Sequence, residues 1–204
     1  QKRNIILLAG VLFGVILGSF GQNILPKSEG INYKSIAVLP FENLSKDGED
    51  EYFADGMTED ILTELSKIKD LLVISRTTIM KYKGTKKTIK EIGKELRVAN
   101  ILEGSIRLSG NRVRITGQLI NALNDQHLWA EKYDRDIEDI FSVQDEVANA
   151  IANALRIELS DEEARMISTT QTESIEAYDY YIKGRTLSYF YEAQKNVEAI
   201  EYYK

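Results

Sequence analysis

The sequence predicts an α/β protein: a mixed five-stranded sheet with helices packed on it, preceded by one transmembrane helix and followed by an α-helical repeat. Three observations carry this. The stretch from Asn4 to Pro26 holds no charged residue, and a helix of roughly 20 mostly apolar residues is what crosses a bilayer. Between Ser35 and Leu155 the apolar period passes from short continuous runs and helical spacing to strict alternation, then back to helical spacing. From Tyr180 onward, bulky and small residues recur at the offsets of a two-helix repeat. The expected divisions are 4–25 for the transmembrane helix, 26–34 for a linker, 35–159 for the α/β domain, 160–173 for a second linker and 174–204 for an incomplete helical repeat.

Ile5 to Leu25 is interrupted only by Ser19, Gln22 and Asn23 among its polar side chains. Lys2 and Arg3 precede it, and positive charge next to a membrane helix favours the cytoplasmic side. The large region after Pro26 is then expected outside the cytoplasm. Gly10, Gly14 and Gly18 repeat at four-residue spacing, so they share one ridge on which a second helix packs closely, predicting a helix-dimer contact and a homodimer. The rival reading is a cleaved signal peptide, with Ser19 and Gly21 as small residues of a cleavage site. Because the chain starts at Gln1 and stops at Lys204 within an amphipathic pattern, further protein is expected on both sides.

With Lys2 and Arg3 set aside, 24 basic residues face 32 acidic ones, a balance of −8. An acidic chain of this kind is not built for general nucleic-acid binding, so no nucleic acid is expected on this region. The chain has no cysteine, which excludes disulfides, thiol catalysis and the commonest structural zinc sites.

Each element follows from its pattern. Ser35 to Phe41 is a nearly continuous apolar run ending at Pro40-Phe41, as in a strand covered on both faces. Met57, Ile61, Leu65 and Ile68 mark a helix, and Leu71 to Ser75 a second buried strand, parallel to the first because a helix connects them. Thr88 and Glu91 stand at capping-box spacing before a helix of about two turns. Val98 to Leu108 and Val113 to Asn121 flank the Ser109-Gly110-Asn111 hairpin signal, and His127 to Arg135 follows the turn at Asn124-Asp125. In that last strand Trp129 and Tyr133 share one face and Leu128 and Ala130 the other, one pair expected in the core and the other beneath a helix. Ile140, Val143, Val147, Ile151, Ala154 and Leu155 line a closing helix, and Tyr33 to about Leu159 is expected to fold alone.

The residues nominate no chemistry. His127 is the only histidine and lies near a turn, no ligand spacing suggests a metal, and no nucleophile stands beside a base, so neither catalytic residue nor cofactor is expected. Asp55 and Arg76 fall near the carboxyl ends of the two parallel strands, where open α/β sheets form ligand crevices. They are the candidate crevice, against a structural bridge or helix cap. Lys81, Lys83, Lys86, Lys87, Lys90 and Lys94 form a basic run, read as a solvated face or a dock for an acidic partner.

Ile36 to Leu44, Tyr52 to Leu62, Leu102 to Ile106, Val113 to Asn121, Leu128 to Arg135 and Ile140 to Val147 together resemble the TolB-like domain over about Tyr33 to Leu159. Tyr180, Lys183, Gly184 and Leu187, then Ala199 and Tyr203, resemble a tetratricopeptide repeat, with Lys183 and Leu187 departing from its preferred residues. These resemblances imply a bacterial inner-membrane protein, single-pass, with the region after residue 26 in the periplasm. The region would sense or bind protein through the repeat and regulate a cytoplasmic nucleotide cyclase or DNA-binding domain. Small-ligand binding, or an envelope component with a cleaved signal peptide, are the alternatives.

Overall fold

The computed structural model describes residues 31–46, 50–169, 172 and 174–204. The expected transmembrane helix and Gly10, Gly14 and Gly18 lie outside the described residues, among which no helix is long and apolar enough to cross a membrane.

Ser35–Val38 forms β1, buried throughout. Alternation sends Ile36 and Val38 to one face of the sheet and Ala37 to the other. β1 lies between β3 (Leu72–Val73) and β4 (Asn100–Ser109), parallel to both. β5 (Arg112–Asn121) and β6 (Gln126–Asp136) extend the sheet antiparallel, giving the order β3-β1-β4-β5-β6. The predicted parallel pair and three-strand meander are therefore present.

Two expectations about the sheet need correction. A further strand, β2 (Glu42–Asn43), pairs with Ser105 and Ile106 of β4, so the sheet has six strands among the described residues and not five. Two residues carry no period from which to read it. Leu71 to Ser75 contributes only Leu72–Val73, at the sheet edge, where Leu72 is 50% exposed. The strand is cut short because Ser75 already serves as the N-cap position of the next helix.

Helix α1 (Glu51–Ser66) presents Met57, Ile61 and Leu65 to the sheet, each at 0% exposure. The short α2 (Arg76–Ile79) runs into a 3-10 turn over Met80–Tyr82. α3 (Ile89–Leu96) starts on the expected capping box, in which the Glu91 N–H donates to the Thr88 hydroxyl and the Thr88 N–H to the Glu91 carboxylate. α4 (Ile140–Ala154) buries Ile140, Val143, Val147 and Ile151. Beyond it come α5 (Asp161–Ile167), α6 (Ile175–Ser188) and α7 (Ala193–Tyr203).

Residues 160–173, read as a linker, contain α5. It has its own capping box, Ser160 with Glu163, and Glu163 also accepts the distant Lys69 N–H at 2.9 Å. Ile167 of α5 and Tyr178 and Ile182 of α6 join the main apolar cluster with α1 and α4, so this core continues past Leu159. On the opposite face the cluster is small: Ala37, Leu39, Ile79, Ile92, Val98, Ile101 and Ala122. α3 is seated there so closely that a Cβ on Gly93 would lie 2.4 Å from the Ala122 side chain. It reaches no further, and Leu128 and Ala130 are exposed, so that pair has neither the core nor the helix cover expected for it. Tyr133, on the other side of β6, is buried.

Candidate functional site

The uncovered half of that second face is a groove of about 800 Å³. Gly104, Ser105, Thr116 and Gln118 of β4 and β5 supply its floor, Leu39 to Asn43 one border, and Tyr82 to Thr85 with Ile89 and Ile92 the facing wall. Gly104 is needed for the floor. A Cβ there would lie 2.5 Å from the Thr116 carbonyl oxygen and 2.6 Å from the Phe41 ring, which crosses β4 at this point. At the rim, Gly84 adopts φ +67, a conformation glycine enters without strain.

Charge in the groove is organised around two lysines. Lys83 Nζ donates to Asp55 at 2.6 Å and pairs with Glu51 at 2.6 Å. Partial burial works to lower its pKa, but the hydrogen bonds to Asp55 and Glu51 outweigh this and hold the ammonium above the ordinary lysine value. Lys87 donates to Glu95 at 2.7 Å, which likewise raises it, and lies 5.7 Å from the centre of the Tyr82 ring. Two lysines of the basic run are thus neutralised within the chain. Glu42 and Glu103 also line the groove, so its polar lining is hydroxyl, amide and carboxylate beside two masked cations.

A second constellation ties the helical pair to the sheet domain. Asp60 of α1 accepts from Gln144 at 3.1 Å, from the Tyr178 hydroxyl, and from Arg185 Nη1 at 2.9 Å. Arg185 also donates to the Gly56 carbonyl at 3.1 Å. Burial works against the Arg185 charge, yet Asp60 and Glu59 keep it firmly protonated; burial first and then Asp60 raise Tyr178 well above the usual phenol range. One position along α1, Glu59 pairs with Arg76 at 2.9 Å and accepts from the Tyr189 hydroxyl. Burial and that bond push Tyr189 up to about 12, and the Arg76 guanidinium lies 3.6 Å from the centre of its ring. Gly56 completes the seam, since a Cβ there would come within 3.1 Å of Ile182. In the helical pair itself, Gly184 lies under Tyr203 and Ala199 is buried.

The structure does not join the two crevice residues. Asp55 reaches the groove through Lys83, whereas Arg76 belongs to the seam with Glu59 and Tyr189. His127 is exposed on β6, opposite Ile120. Among the described residues no group of three or more His, Cys, Asp or Glu could hold a metal ion. Sequence reasoning missed Thr116, Gln118 and Glu103 as groove residues, and Asp60 with Arg185 as a pair. The first three read only as the polar phase of alternating strands, and the last two are 125 positions apart.

Residues 32–154 match the family described as HilA/YgeH-like transcriptional regulator, second domain. A putative adenylate cyclase 3 of Rhizobium meliloti (strain 1021) is 49% identical over 166 residues, which is 81% of this chain and 28% of that protein. The chain therefore spans a minor part of that relative's length. Among solved structures, lipoprotein GNA1162 from Neisseria meningitidis aligns at a TM-score of 0.45 and 19% identity, over 59% of this chain and 97% of its own. TolB from Acinetobacter baumannii aligns at 0.45 and 18%, over 59% of this chain and 28% of its own. The sequence-read TolB-like resemblance, over Tyr33 to Leu159, occupies nearly the same residues as the family match. With more than half of its length matched, the chain belongs to the HilA/YgeH-like transcriptional regulator second-domain family.

Proposed function

We propose that this chain is the sensing or protein-interaction region of a membrane-anchored bacterial signalling protein, non-catalytic in itself, whose output resides in a domain outside this sequence. The observation that carries the reading is the extent of the match: 49% identity with a putative adenylate cyclase, confined to 28% of its length. A shared region of that size in a cyclase-named protein and in a regulator family fits a module that serves different outputs, a cyclase or a DNA-binding domain. In this reading residues 4–25 cross the inner membrane, the region after residue 26 lies in the periplasm, and the α6–α7 pair begins a tetratricopeptide array that receives a protein partner.

Protease added to intact spheroplasts should digest the region after Pro26 while sparing a cytoplasmic tag fused before Gln1. Protection of the outer region overturns the orientation, and recovery of a mature chain starting near Gln22 converts the anchor into a signal peptide.

The groove favours a second reading, a small-ligand module. A polar metabolite that raises the unfolding temperature of the wild type but not of Gln118→Leu supports it; equal shifts in both count against it.

A further inference from the structure

We propose that β6 is an interaction edge that pairs antiparallel with β6 of a second copy, centred on Tyr133. β6 is 11 residues long and forms the end of the sheet, with β5 as its one strand neighbour among the described residues. Such an edge is a template for another strand unless it is short, covered, bulged, guarded by unmatched charge or interrupted by proline, and the one register shift between β5 and β6 falls at Leu128, outside Ala130 to Asp136. β6 has no proline. The Ile137 N–H donates to the Asn111 carbonyl, which fixes the phase of the ladder. Odd-numbered residues direct their backbone groups to β5, and those of Ala130, Lys132, Asp134 and Asp136 point outward. Among the described residues their one recorded outside contact is a 3.4 Å bond from Arg135 to the Asp134 carbonyl.

Charge selects both the partner and the register. Glu131-Lys132-Tyr133-Asp134-Arg135 reads minus, plus, neutral, minus, plus, and reversing the segment inverts every sign. A two-fold antiparallel pairing centred on Tyr133 therefore sets Lys132 against the partner copy's Asp134 and Glu131 against its Arg135, each pair occurring twice. Residues opposed in this way have side chains on the same face of the sheet, so both sets of pairs are within reach. Lys132 and Asp134 lie on the open face, Glu131 and Arg135 on the face of α4. Centring on Glu131, Lys132 or Asp134 would place that charge against itself, and centring on Ala130 forms no charge pair. The local surroundings agree: Asp134 is 35% exposed although Arg112 and Arg114 hold it, Glu131 accepts from the Tyr133 hydroxyl at 2.7 Å with no cation paired to it among the described residues, and the acid beside Arg135, Glu146, lies at a long 3.6 Å. This dimer is independent of any contact through Gly10, Gly14 and Gly18.

The chain has no cysteine, so register can be read by crosslinking the full chain in detergent. Glu131→Cys and Arg135→Cys are made separately, and their folding is checked by Trp129 fluorescence. In the proposed register the two positions oppose each other at about 4.5 Å between Cα atoms, inside disulfide range, while like positions in the two copies are beyond it. Mild oxidation of the mixture should give a disulfide dimer, and each variant alone should give little. Adding Lys132→Glu to both, which faces the partner copy's Asp134 twice, should lower the crosslinking rate roughly tenfold. No dimer from the mixture, equal dimer from one variant alone, or indifference to Lys132→Glu each overturns the proposal.

Discussion

The two faces of the sheet are built from the same alternating strands yet end differently. One face is closed by α1, α4, α5 and α6, with Ile36, Leu102 and Ile182 at 0% exposure. The other is closed only where α2 and α3 lie on it, and beyond them Thr116, Gln118, Leu128 and Ala130 meet solvent. The closed face recruits residues from far along the chain; the half-open face keeps a groove. The lesson is that in this domain the main core and the groove lie on opposite sides of one sheet, so substitutions on the two sides should differ in cost.

The largest expected effect is on the closed face. Ile182→Ala removes a fully buried side chain and should cost about 2–5 kcal/mol in denaturant unfolding, whereas Leu128→Ala on the open face should stay within about 0.5 kcal/mol. Equal costs would break the comparison, because they would mean that the open face is covered.

Next comes the seam. Asp60 and Arg185 side chains are 15% and 12% exposed, and Asp60→Ala, which leaves the guanidinium to the Gly56 carbonyl and to Glu59 at 3.5 Å and leaves Tyr178 without its acceptor, should cost about 3 kcal/mol. The paired change Asp60→Leu with Arg185→Met should cost much less than the sum of the singles. Strict additivity would show that the two residues do not act together.

The smallest effect sharpens the role of α5. Bonds from the Ser160 hydroxyl, the Lys69 N–H and the Ser160 N–H hold the Glu163 carboxyl at about 2, below its ordinary 4.5. A depressed folded pKa contributes stability that is complete above about pH 4.5 and lost as pH falls towards about 2. Glu163→Gln should therefore flatten the acid limb of the stability curve between those values; an unchanged limb in urea titrations would remove Glu163 as its source.

Much of this architecture was legible in local pattern. The run at Ser35, the Thr88 and Glu91 box and the period-two segments around Gly110 each dictate a structure within a few residues, and each is present. Ser160 and Glu163 stand at the same box spacing within residues 160–173, the stretch expected as a linker. What escaped depends on partners distant in sequence. Alternation shows that Trp129 and Ala130 point to opposite faces, but the length of α3 decides whether the second face is covered. Asp55 and Arg76 are expected at one crevice near the strand ends, but the chain offers a separate partner to each, Lys83 and Glu59.

The position of β1 has a mechanical consequence. It is the first element after residues 1–30 and lies between two strands, both parallel to it. Asn100 fastens its start, donating to the carbonyls of Tyr33 and Ser35 at 2.7 and 3.0 Å. A pull on Ser35 along the strand loads the bonds on both sides at once, in shear, and cannot open them singly as a peeled hairpin opens. A load on Ser35 would thus enter the interior of the sheet, where β1 feeds both the closed core and the border of the groove.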